Sequence, residues 1–163
     1  MGLPAFFLIL TIVPFIFGFY SWRKDHVRNS LREAYALNTR NAAVAIKDID
    51  ERLYKCYLVL VEEPIDYEDF ILAKHLQIVI SSDTKDEREA AFILGVLRIY
   101  YNACADGVST AMERNIYRAS DSQLHTWHFE SQRTWESAQW MREQMKDLEK
   151  IMQRIQKKRN NSD

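Results

Sequence analysis

The sequence predicts an all-α protein: an N-terminal transmembrane helix, then a helical bundle with long, coiled-coil-like first and last helices. Three observations carry this. Residues 3–20 hold no charged residue and no Asn, Gln or His. Beyond them the 163-residue chain has one proline, Pro64, and two glycines, Gly95 and Gly107, so little interrupts helix propagation. Two later stretches repeat apolar residues at alternating spacings of four and three, which draws a single stripe down a helix. The expected organisation is an anchor over 1–22, a helical cytoplasmic domain over 23–158 and a polar tail over 159–163.

In the anchor, LPAFFLILTIVPFIFGFY, twelve residues are Leu, Ile, Phe or Val. As a helix at about 1.5 Å per residue the stretch reaches roughly 27 Å, close to the hydrocarbon thickness of a bilayer. Leu3, Phe6, Phe7, Leu10, Phe15 and Phe17 are the candidate lipid contacts. Tyr20 and Trp22 fall where amphipathic rings settle at headgroups. Pro4 sits harmlessly in the first turn, whereas Pro14 is expected to kink the helix. A cleaved leader needs basic residues ahead of the apolar run and small ones after it. Here none precede it, and Phe19, Tyr20 and Trp22 are bulky. No cysteine near the end of the run suits a lipoprotein, and Phe6 stands where myristoylation wants Ser or Thr. The segment is therefore expected to stay. Arg23, Lys24, Arg28 and Arg32 crowd its C-terminal flank, which places the N-terminus outside and the domain on the inner side of the cytoplasmic membrane.

The first helix of the domain is expected to continue from the anchor, with a seam at Ala42, Ile46, Ile49, Leu53, Cys56 and Leu60, and to stop near Glu63, before Pro64. Asp66 can cap a second helix carrying Phe70, Ile71, Leu72, Leu76 and the run Ile78 to Ile80. Ser82 or Asp83 is expected to cap a third, from Thr84 to about Asp106, with apolar residues at Phe92, Val96, Ile99 and Ala103. A last helix from about Asp121 to Lys158 has its seam at Trp127, Ser131, Thr134, Ala138, Met141, Met145, Leu148, Met152 and Ile155. The seams serve either an intramolecular bundle or self-association. For association the candidates are Ala42, Ile46, Ile49 and Leu53 with Met141, Met145, Leu148 and Met152.

Chemistry-bearing patterns are sparse. His125 and His128, beside Glu130, are spaced to share a metal on one helix face. They lack the HExxH arrangement and need a further ligand, such as His75, brought in by the fold; the ordinary reading is two surface imidazoles. Cys104 near Asp106 has no local activating context, and two cysteines make no disulfide framework. No phosphate-binding glycine loop, GxSxG turn or CxxC pair occurs, and no cofactor is expected. Arg142, Lys146, Lys150, Arg154 and Lys158 stack like charges at every fourth position, which is mildly unfavourable alone. Their relief is either Glu143, Asp147 and Glu149 nearby or something opposite: the acidic hinge (Glu62, Glu63, Asp66, Glu68, Asp69), anionic headgroups or nucleic acid. Nucleic acid is disfavoured, because net charge is −1 and no aromatic follows Trp140 among the basic residues.

At Leu97 to Val108, LRIYYNACADGV resembles a recurring stretch in a family of uncharacterised bacterial and phage proteins with one membrane helix and a small helical cytoplasmic domain. Tyr100-Tyr101 match its two aromatics and Gly107-Val108 its Gly-Ile, Cys104-Ala105 take the place of its Ile-Ala, and Asn102 stands where the family has Glu. The resemblance implies a membrane-tethered module, and it puts Gly107 inside a helix at a close contact where local chemistry alone suggests a C-cap.

The function expected is that of a single-pass membrane-anchored helical protein acting by protein–protein association, self-association included, at the inner membrane surface. The partners expected are the bilayer and a protein. The alternatives are a membrane-tethered enzyme or toxin with a site near His125 and His128, and a small pore-forming or lysis-type protein. An anchor without a polar stripe argues against a wet pore.

Overall fold

Fifty-eight consecutive residues, Leu3–Leu60, form one helix, α1, that passes from the apolar stretch into the first seam without a break. A computed structural model describes residues 3–61 and 84–161, with side chains from Ile12 onward. Pro14 lies inside α1. With no N–H to donate, it removes one rung of the hydrogen-bond ladder but does not end the helix. Two further helices follow, α2 over Lys85–Glu113 and α3 over Asp121–Asn160. The expected second helix, its Asp66 cap, the acidic hinge and His75 lie outside the described residues.

The cap of α2 is Thr84, neither Ser82 nor Asp83. Its backbone is extended (φ −83°, ψ 141°) and its Oγ1 accepts from the Glu87 N–H. The hydroxyl also donates to Glu87 Oε2 at 2.8 Å. Thr84-x-x-Glu87 thus sets the start, because the carboxylate three residues on gives this hydroxyl a second role. At α3 the Ser120 Oγ accepts from the Gln123 N–H, and the Ser120 N–H donates to Gln123 Oε1, a reciprocal pair that fixes Asp121 as the first helical residue.

Contacts between distant residues give the helix directions. Lys24 meets Asp121, Arg52 meets Glu149 and Arg159 meets the Val59 carbonyl, so α1 and α3 run parallel. Tyr35 donates to the Ala111 carbonyl while Asp50 meets Arg98, so α2 runs antiparallel to α1. One core fills the space between them, with Ile49, Leu53, Leu97, Leu124, Met141, Met145 and Leu148 fully buried. Burying each such side chain favours folding by about 1.5–3 kcal/mol before chain entropy is counted.

The face of α2 turned inward is not the one expected. Ala90, Leu94, Leu97, Cys104, Val108 and Ala111 are buried, whereas Phe92, Ile99 and Ala103 are exposed and Val96 is half-buried. Both sets have helical spacing. The buried one is longer: with half-buried Tyr101 it continues the four–three alternation from Ala90 to Ala111. A longer seam buries more apolar area against α1 and α3, and that decides between the faces.

At the other end α3 runs two residues beyond the expected Lys158. Arg159 donates to the Val59 carbonyl and to Glu87 Oε1, both at 2.7 Å, so it belongs to the bundle and not to a tail. Among the described residues, no helix is long and apolar enough to cross a membrane. The side chains of Leu3, Phe6, Phe7 and Leu10 lie outside the described residues; Phe15, Phe17, Tyr20 and Trp22 are exposed along the part of α1 that projects beyond α3.

Candidate functional site

The eight residues expected to mediate association are all interior. Ala42, Ile46, Ile49 and Leu53 of α1 share one core with Met141, Met145, Leu148 and Met152 of α3, each at 8% exposure or less. The two seams close on each other and on α2 within one chain. A second chain cannot reach them without opening the bundle, so an association surface has to be found elsewhere.

Next to this core lies a buried ion pair. Arg98 Nη1 approaches Asp50 Oδ1 to 3.2 Å, with side chains 10% and 8% exposed. The guanidinium also sits over the Tyr101 ring, 4.9 Å from its centroid. Burial, reinforced by the Asp50 charge, pushes the Tyr101 hydroxyl up to about 12. Losing one partner of such a pair costs more than the intact pair contributes.

The basic stack on α3 finds its counter-charges inside the molecule. Lys146 pairs with Glu143 and Lys150 with Asp147, each three residues back. Arg142 meets Asp48 of α1, while Arg154 and Lys158 converge on Asp86 of α2. Glu149, expected to relieve the stack, instead takes Arg52 through both carboxylate oxygens at 2.6 and 2.9 Å. The Lys158 hydrogen bond draws the Asp86 carboxyl below its ordinary range.

Where α1 enters the bundle, three of the four residues expected to set topology also hold the fold. Lys24 and Arg28 flank Asp121 at 3.0 and 3.1 Å. Arg28 donates to the Ala119 carbonyl at 2.9 Å. Arg32 donates to the carbonyls of Ile116 and Tyr117 and lies over the Tyr117 ring. These bonds satisfy the turn between α2 and α3, which has few backbone partners of its own. Arg23 makes no ion pair among the described residues.

His125 is exposed and His128 half-buried on α3. Among the described residues no group of three or more His, Cys, Asp or Glu is placed to hold a metal ion. Burial pushes the Cys56 thiol up to about 12 and raises that of Cys104 too, so both are held protonated and poorly nucleophilic. Asp106 points to solvent. Between α2 and α3 lies an open groove of about 500 Å³ around Gly107, edged by the Arg114–Glu130 ion pair, with buried Thr39 in its lining. Cys104, Asp106 and Glu130 are in its lining, but burial raises the Cys104 thiol and leaves it a poor nucleophile.

The outer face of α2 is different in kind. Phe92 (73% exposed), Val96, Ile99 (70%) and Ala103 form an apolar stripe, and among the described residues nothing lies within 4 Å of where a Gly95 side chain would start. Tyr100 extends the stripe sideways onto Trp140 of α3, ring centroids 4.7 Å apart. Glycine within a helix costs about 1 kcal/mol relative to alanine, and no neighbour in the described bundle requires it here. The stripe is legible in the sequence, but its periodicity reads equally well as core.

Compared with known proteins, the chain matches no family model, no curated sequence and no solved structure. The resemblance at Leu97 to Val108 therefore stands on those residues alone.

Proposed function

We propose that this is a single-pass, membrane-anchored helical bundle that works by docking another protein of the same membrane, a second copy included, on the outer face of α2. The observation that carries the reading is the stripe of exposed Phe92, Ile99 and Ala103 and half-buried Val96, with Gly95 on the same face. Isolated surface apolar residues are ordinary, but an aligned stripe beside an unneeded glycine suits a close helix–helix contact.

The anchor rests on residues 3–20 and on the positive flank after them. Continuity of α1 then sets the geometry. From Trp22 to Leu60 the helix rises roughly 57 Å, so the bundle stands on the membrane like a post. The stripe lies level with about residues 45–56 of α1, roughly 35–50 Å from the bilayer. Copies anchored in one membrane with the same orientation present it at one height and in parallel, and confinement to a plane raises their effective concentration. The same geometry takes the basic stack many Debye lengths from the lipid, and its counter-charges already lie within the bundle. For the enzyme or toxin reading, no group of three or more metal-ligating side chains forms around His125 and His128 among the described residues.

The test is site-specific photo-cross-linking of the full-length protein in its native membrane. Probes at Phe92 and Ile99 should give discrete adducts that a probe at exposed Phe129 does not, and Phe92→Glu with Ile99→Glu should abolish partner capture while the helical content stays unchanged. Adducts of equal yield at all three positions, or capture that survives the double variant, would refute the docking face. Extraction of the full chain by alkaline carbonate would refute the anchor.

A further inference from the structure

A crevice of about 260 Å³ opens between α1 and the first turn of α3, just past Tyr20. Four basic side chains line it: Arg23, Lys24 and Arg28 from α1 and His125 from α3. Its apolar lining is Val27, Leu31 and the fully buried Leu124, an apolar floor beneath the charges. Asp121 is the single acidic residue of the lining, and it is shared by Lys24 and Arg28. Three permanent cations against one carboxylate leave two net positive charges before His125 is counted. The Lys24 hydrogen bond keeps Asp121 ionised by drawing its carboxyl down, so Lys24 and Arg28 stay fixed at the mouth. Arg23 has no counter-ion among the described residues, and its guanidinium is left to find one outside the fold.

From this we infer that the crevice is a binding site for a phosphate group, the phosphodiester of an anionic phospholipid. Arg23 supplies a planar fork for two phosphate oxygens, Lys24 a second charge, and His125 a neutral or charged donor from the opposite wall. The apolar floor suits the glycerol and first acyl carbons of a lipid better than it suits a free ion. The positive end of α3 points the same way and adds to the field. The inference rests on the proposed anchor, because only an embedded residue 3–20 segment brings Tyr20 and Arg23 to headgroup depth. On that reading one bound lipid bridges α1 to α3 and fixes the tilt of the bundle against the membrane.

The test uses the full-length protein in nanodiscs of mixed phosphatidylcholine and phosphatidylglycerol, with retained lipids read by native mass spectrometry. One phosphatidylglycerol should be retained roughly five- to thirtyfold above its share of the bilayer, as one or two basic contacts predict. The Arg23→Gln/His125→Gln variant removes no ion pair of the fold, and it should retain the two lipids in proportion to composition. Proportional retention by the wild type, or unchanged enrichment in the variant, would overturn the site. A second arm titrates inorganic phosphate against the protein in phosphatidylcholine discs, following the His125 ring resonances. No saturation at millimolar phosphate supports a lipid ligand; saturation lost in the variant would reassign the crevice to free phosphate and overturn the lipid assignment. Protein recovered outside the discs at every composition would remove the anchor, and the phosphate arm would still decide the crevice.

Discussion

A Cβ built on Gly107 of α2 would lie 3.0 Å from Oγ1 and 3.5 Å from Cγ2 of Thr134 on α3. The Thr134 hydroxyl donates to the Glu130 carbonyl at 3.0 Å, so turning it away from Gly107 would cost that bond. Gly107 is thus a mid-helix glycine kept by a neighbour.

Gly107→Ala sets a helix-propensity gain of up to about 1 kcal/mol against crowding that costs about 1–3 kcal/mol. The expected net is a loss of about 1 kcal/mol in urea unfolding followed by tryptophan fluorescence. In a Thr134→Ala background the same change should be neutral or stabilising. A loss of equal size in both backgrounds would mean that the contact is not the cause.

Breaking the Asp50–Arg98 pair from one side deprives a buried charge of its counter-charge. Asp50→Ala should therefore cost about 3 kcal/mol or more. Arg98→Met with Asp50→Leu, which removes both charges and keeps volume, should cost clearly less. Urea midpoints of the two variants compare them directly. An Asp50→Ala loss no greater than that of the double variant would show that the pair is solvated.

Acid should loosen the bundle at both ends. Asp121 and Asp86 have carboxyls drawn down by Lys24 and Lys158 respectively. Burial works to raise Glu87, but the Thr84 hydrogen bond and Arg159 outweigh it, and it too titrates low. A carboxyl lower in the folded than in the unfolded state contributes stability above its unfolded value and loses it as pH falls through the folded value. Melting temperature should thus be flat between about pH 5 and pH 8 and fall below about pH 4. Asp86→Asn with Asp121→Asn should flatten that fall, and an unaltered slope would exclude these pairs as its source.

Both thiols should resist alkylation while the chain is folded. A cysteine with a value near 12 is about one part in ten thousand thiolate at pH 8, against about a quarter in an unfolded chain. Iodoacetamide labelling of Cys56, read by mass spectrometry, should then be roughly a thousandfold slower than in denaturant. Native labelling within tenfold of the denatured rate would place Cys56 at the surface.

Phe92→Ser and Ile99→Ser should leave melting temperature within about 0.5 kcal/mol equivalent of the wild type, since exposed side chains carry little folding energy. Leu94→Ala and Leu97→Ala, on the opposite face, should each cost about 2–5 kcal/mol. Reversal of that order would mean that α2 packs by its other face.

Residues near one another in the chain determined the helices. An apolar run followed by a polar helix former gave α1 its length, the Ser120–Gln123 box gave α3 its start, and the four–three spacing gave the seams that pack α1 on α3. These signals act over a single turn, so one sequence window contains them. Which face of α2 points inward could not be read that way, because Leu94–Leu97–Cys104 and Phe92–Val96–Ile99 both satisfy the helical period. Nor could the partners of the charges: Asp86 lies 72 residues from Lys158, and Asp50 lies 48 from Arg98. Periodicity shows that a face exists, whereas burial energy depends on what lies across from it. Only the packing of three helices supplied that, and with it the bare stripe on α2 and the basic crevice beside Tyr20.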